Sequence, residues 1–151
     1  MEAQERIPRV KGLGKDGGGL KRLLLPSRFG VLGKFGTGNQ WWSWMDIEDI
    51  YNCIAFFIEN KHTGTFNVTT QNPVRQKEFV STLSKHLHRP NATWIPFLGN
   101  LYKLAIKIIL GGVSAEVLYS RKINPSKLFQ TGFICKYPLL AQSIKKNLNL
   151  E

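Results

Sequence analysis

The sequence points to an α/β fold, a small sheet with about five helices, on three grounds. Apolar residues recur at helical spacing in two long stretches, one from Ile47 and one from Val74. Between them, Thr65 to Thr69 alternates polar and apolar, as a half-buried strand does. Strand and helix patterns then alternate along the chain before it closes on helices, which is the order of an α/β or α+β domain. At 151 residues, 42% of them hydrophobic and 11% aromatic, the chain has enough apolar surface for one domain with its own core.

Arg6 to Val10 is the first candidate element, a short strand, although Pro8 makes it a poor one in a sheet interior. Glycines 12, 14, 17, 18 and 19 predict a flexible loop, and residues 1–38 as a whole read as a glycine-rich lead-in to a single domain over 1–151. Leu20, Leu23 and Leu24 predict a short helix interrupted at Pro26. A second glycine-rich loop, Gly30 to Gly38, leads into the aromatic run Trp41, Trp42, Trp44, which suits a strand or a pocket wall. From Ile47 the residues Ile47, Ile50, Ile54, Phe57 and Ile58 share one helix face, with Glu48 and Asp49 favourable in the first turn. Asn72-Pro73 predicts the next helix start, with Asn72 as the cap, and Val74, Phe79, Val80, Leu83 and Leu87 carry that helix to a stop at Arg89-Pro90. Thr93 to Ile95 reads as a strand and Phe97 to Leu110 as a helix with Lys103 and Lys107 on its solvated stripe. Two further helices are predicted, Ser126 to Gln130 before Gly132, and Leu139 to Leu148, in which Leu140, Ile144 and Leu148 recur every four residues.

Charge and cysteines narrow the function classes. The net charge of +11 comes from scattered Lys and Arg residues, with no helix-turn-helix, zinc-finger or RNP-like signature, so a solvated basic surface is favoured over a nucleic-acid groove. Cys53 and Cys135 lack C-x-x-C spacing, which argues against zinc and against a disulfide framework and for a reducing, cytoplasmic setting. No run approaches the ~18 apolar residues of a membrane span, so no membrane partner is expected. Gly12 to Gly17 matches G-x-G-x-x-G, but the segment before it is charged and contains Pro8, and no acidic residue follows about 20 positions later. His86 and His88 point to different helix faces and form no metal shell; Asp46, Glu48 and Asp49 are accounted for by capping and the helix dipole. The tryptophans are less easily accounted for, because Trp41 and Trp42 in a strand face opposite ways and both need cover.

A wider pattern runs through Leu13-Gly-Lys-Asp-Gly-Gly-Gly19, Gly36-Thr-Gly-Asn-Gln-Trp-Trp-Ser-Trp44 with Ile47-Glu-Asp49, and Phe66-Asn-Val-Thr69 with Asn72-Pro-Val74. It continues in Glu78-Phe79, Leu87-His-Arg-Pro90, Arg121 through Pro125, Leu128, Gly132-Phe133 and Tyr137-Pro138. Together these resemble the C-terminal, substrate-side half of the epimerase-like branch of the extended short-chain dehydrogenases/reductases. The resemblance implies an incomplete Rossmann domain, in which an N-terminal half would bind NAD(P) and this half would close a substrate cleft over it. It implies that the family's Tyr-x-x-x-Lys pair lies outside this chain, since none of Tyr51, Tyr102, Tyr119 or Tyr137 has a lysine four residues on. Asp46 stands where the family pattern has His, and Trp42 where sugar-nucleotide epimerases carry a diphosphate-binding arginine, which argues against a nucleotide-sugar ligand.

The resemblance further implies a chain inactive alone, with no cofactor of its own, an unidentified small-molecule ligand and a separately encoded N-terminal half as partner. It places Lys15, Lys34, Trp41, Trp42 and Arg121 at the substrate pocket, Trp41 and Trp42 as walls and Lys15 and Arg121 as contacts to an anionic group. Two other readings stand beside it: a basic module that binds nucleic acid or another polyanion, and a non-functional gene remnant.

Overall fold

A computed structural model describes residues 11–14, 18–92 and 120–149. The predicted strands at Arg6 to Val10 and Thr93 to Ile95, the helix from Phe97 to Leu110, and Lys15 lie outside the described residues.

Four short strands and five helices make up the described part: β1 (Lys11–Leu13), α1 (Gly18–Arg28), β2 (Trp41–Trp42), β3 (Trp44–Asp46), α2 (Ile47–Glu59), β4 (Val74–Arg75), α3 (Gln76–His86), α4 (Ser126–Gln130) and α5 (Leu140–Asn147). The α/β class and the small sheet are as the sequence predicts. β1 pairs with β3 in parallel, Gly12 opposite Met45, and β2 pairs with β4 antiparallel, Trp42 opposite Val74.

Side-chain alternation along β3 explains why the core has two parts. Trp44 joins Leu13, Leu20, Phe79, Leu83 and Ile144 on the side of α1, α3 and α5. Met45, pointing the other way, joins Cys53 of α2 and Leu128 of α4. The β1–β3 pair is therefore covered on both faces, as a parallel sheet requires. Trp44 and Phe79 are 1% exposed, and truncating side chains of this size in such a core costs about 3–5 kcal/mol.

Several elements depart from the sequence pattern for identifiable reasons. Lys11–Leu13 is a strand rather than part of a loop, because Gly12 and Gly14 serve packing. A side chain begun at Gly12 would meet Ile50 Cδ1 at 3.3 Å, and one begun at Gly14 would meet Ile47 Cγ2 at 3.2 Å, so α2 lies against a strand face that has no side chains. α1 continues through Pro26 to Arg28. The proline sits in the last turn, where its carbonyl accepts from Val31 N and Leu32 N at 3.0 and 3.2 Å, while the Ser27 hydroxyl donates to Leu23 O at 2.7 Å.

Thr65 to Thr69 forms no ladder. It is irregular, and only the following Thr70 N reaches the sheet, donating to Trp44 O at 2.8 Å. The helix expected at Pro73 begins at Gln76, because Val74 and Arg75 are taken by pairing with β2. Its first residue then locks the preceding loop: the buried Gln76 side chain accepts from Phe35 N at 3.0 Å and donates to Gly33 O at 3.3 Å. α4 and α5 form where the spacing places them, with Leu140 and Ile144 buried.

α2 also forms as predicted, but its buried side is Asp49 and Cys53. The stripe Ile47, Ile50, Ile54, Ile58 begins against β1 and runs out to solvent, leaving Ile54 50% and Ile58 73% exposed.

Candidate functional site

Segment 120–123 lies along β2 and sets the site. Trp41 N donates to the Ser120 hydroxyl at 3.0 Å, Arg121 N to Trp41 O at 2.9 Å, and Ile123 N to the Ser43 hydroxyl at 2.9 Å, while that hydroxyl donates to Arg121 O at 3.1 Å. Held this way, Lys122 faces a cleft of about 600 Å³ together with Trp41, Asn72, Glu78, Thr82 and the first residues of α5. Trp41 is half-buried, with the Arg75 guanidinium carbon 3.7 Å and Lys122 Nζ 4.8 Å from its ring centroid. Both cations lie within the range of favourable cation–π contact. Arg75 is fixed further by donating to Asn39 O.

The structure separates the residues that the sequence grouped. Trp41 lines the cleft. Trp42 is 2% exposed and packs between Phe35 and Phe79, with ring centroids 6.5 and 5.2 Å away, so it belongs to the core. Arg121 and Lys34 are exposed and do not line the cleft. Lys122 and Glu78, which do, carry no sequence signal; their positions depend on 120–123 pairing with residues nearly eighty positions away.

The groups facing the cleft are an indole, an amide, a hydroxyl, a carboxylate and an ammonium, a set suited to binding and orienting a polar ligand. Among the described residues no cluster of three His, Cys, Asp or Glu side chains could hold a metal. The residues described do not fit a dinucleotide either. The space above Gly12 and Gly14 that a pyrophosphate would need is filled by Ile47 and Ile50. No helix among the described residues is long and apolar enough to cross a membrane.

Behind the cleft, two buried carboxylates hold the elements that shape it. Asp46 is fully buried and caps α2, its Oδ1 accepting from Glu48 N at 2.9 Å. The same carboxylate accepts from the Ser143 hydroxyl, from Asn147 Nδ2 at 2.7 Å and from Lys146 Nζ at 2.9 Å, which ties α5 to α2. Asp49, also fully buried, accepts from Lys136 N at 2.7 Å and Tyr137 N at 2.9 Å, which holds the loop leading into α5. Glu48 pairs with Lys136 at 2.6 Å and Lys146 at 3.1 Å. Hydrogen bonding from Lys136, then from Lys146, holds its carboxyl below the usual value of 4.5. Burial alone would lower Lys146, but its hydrogen bonds to Asp46 and Glu48 outweigh this and raise it.

Comparison with known proteins places this architecture. An epimerase family protein of Staphylococcus aureus (strain MRSA252) is 38% identical over 134 residues, which span 88% of this chain and 43% of that protein. The chain is a partial homologue of the epimerase family proteins. One from Staphylococcus epidermidis is 39% identical over 133 residues, covering 87% of this chain and 42% of the relative. The chain thus spans less than half the length of these epimerase family relatives. No protein-family model matches it. The fold of human epimerase family protein SDR39U1 (isoform 2), crystallised with NADPH, superposes at a TM-score of 0.79 with 24% identity, over 94% of this chain and 47% of that one.

Proposed function

We propose that this chain is the substrate-side part of an NAD(P)-dependent, epimerase-like oxidoreductase and does not turn over substrate without a nucleotide-binding half. The carrying observation is the identity of 38% over 88% of this chain, confined to 43% of the S. aureus relative. The sequence supports the division of labour, because no tyrosine of this chain has a lysine four residues on to lower its pKa for proton transfer. The cleft at Trp41 supplies ligand-orienting groups, which is the task the reading gives this part.

Thermal unfolding with saturating NADPH or NADH tests the reading, since a ligand that binds only the folded chain raises its Tm by mass action. The reading expects no rise with either nucleotide. A concentration-dependent rise of several degrees contradicts it and makes this chain a cofactor-binding protein in its own right.

A further inference from the structure

We propose that the outer edge of β1 and the apolar stripe of α2 form one docking seam for a separately encoded nucleotide-binding α/β polypeptide, which sets a parallel strand beside β1. The inference rests on the proposed function and names the surface through which it operates. β1 pairs with β3, and among the described residues its other edge makes no backbone hydrogen bonds. A parallel sheet two strands wide with an open edge is rarely left so, because the unpaired N–H and C=O groups template further pairing.

The helix above that edge points to the same surface. On α2, Ile47 and Ile50 cover Gly12 and Gly14 of the β1 segment. Tyr51, Ile54 and Ile58, at three- and four-residue spacing along the same stripe, are 67%, 50% and 73% exposed. The stripe is continuous, so whatever covers its outer half adjoins β1. A row of large apolar side chains rimmed by polar ones marks an interaction surface rather than scattered exposure.

Two further facts select the occupant. A second copy related by a two-fold axis would meet β1 antiparallel over three residues and would end the sheet, whereas the existing pairing is parallel. The fold this chain shares with the human protein accounts for 94% of this chain but 47% of that one, so more than half of that fold's elements remain to be placed, and the open parallel edge is where a sheet can grow.

The test is site-specific photo-crosslinking of the 151-residue chain in the cells that make it. Tyr51, Ile54 or Ile58 is replaced in turn by p-benzoylphenylalanine, with Ile134, 85% exposed and off the stripe, as control. The proposal expects stripe positions to yield adducts that Ile134 does not, to a polypeptide identified by mass spectrometry as carrying an NAD(P)-binding half. Ile54→Asp beside a probe at Tyr51 should lower that yield roughly tenfold or more, while its exposed site leaves the Tm near that of the parent. Adducts to a second copy of this chain, adducts equal to those of Ile134, or none, overturn the seam. The functional reading fails separately: a crosslinked pair that does not bind NADPH refutes the function and leaves the seam standing, whereas a pair that binds NADPH without stripe adducts refutes the seam alone.

Discussion

Replacing Asp46 with alanine should cost the chain about 2–4 kcal/mol of stability, and the structure shows where each part arises. The α2 cap, Asp46 Oδ1 accepting from Glu48 N, is lost at about 1 kcal/mol. The Ser143 hydroxyl, fully buried, loses its carboxylate acceptor, which costs a further 1–2 kcal/mol or so. Asn147 Nδ2 is left partly satisfied, because it also donates to Ser143 O at 2.8 Å. Lys146 limits the total: its side chain is 30% exposed and keeps Glu48 at 3.1 Å, so the cost of about 3–5 kcal/mol for a stranded buried charge does not apply. At about 3 °C per kcal/mol for a domain of this size, the Tm should fall by roughly 10 °C. Tryptophan fluorescence in a urea series and far-ultraviolet circular dichroism in a thermal scan measure both quantities. Asp46→Asn should fall between parent and alanine variant, since it keeps a capping oxygen but turns an amide toward the Asn147 amide. An alanine variant within about 0.5 kcal/mol of the parent would overturn this reading of Asp46, because that is the range of a surface substitution.

Three other consequences can be measured on the same protein. Glu48 has a carboxyl pKa depressed below 4.5, so its stabilising contribution is complete above that value and is lost as pH falls through the lower folded one; Glu48→Gln should flatten the acid limb of the stability curve, and an unchanged limb would count against the Lys136 and Lys146 pairing. Burial, then the nearby Asp49 charge, pushes the Cys53 thiol up to about 11 and the Cys135 thiol up to about 12, so both should resist iodoacetamide at pH 8 in the native protein and react promptly in urea; fast native labelling of either would contradict their packing. Gly14→Ala should destabilise by about 1–3 kcal/mol, because its methyl meets the branched Ile47 side chain at 3.2 Å, and a neutral result in the urea series would show that α2 does not rest on this segment.

The long helices were legible because their apolar spacing coincides with burial. In α3, Phe79, Val80 and Leu83 are both the periodic residues and the buried ones. β1 was not legible, since its glycines resemble a loop until α2 is seen resting on them. α2 shows the converse: its period is strong, but the stripe that defines it faces outward, so periodicity located the helix without locating its neighbour. The strand pattern at Thr65 to Thr69 misled because alternation reports half-burial and not pairing; Val68 packs beside the smaller core while the backbone stays outside any ladder. At the cleft, the aromatic run drew attention to the correct segment. Which tryptophan faces outward depended on β2 pairing with β4, and Lys122 reached the cleft only through contacts with residues nearly eighty positions earlier.

The sharpest test of the division of labour between this chain and a nucleotide-binding half is to titrate NADPH into the chain alone and into the chain together with the polypeptide captured on α2, with the four tryptophans as reporters. No saturable change is expected for the chain alone, and a saturable one for the pair. Saturation of the chain alone with a micromolar Kd, or a pair that remains unresponsive, would contradict that division.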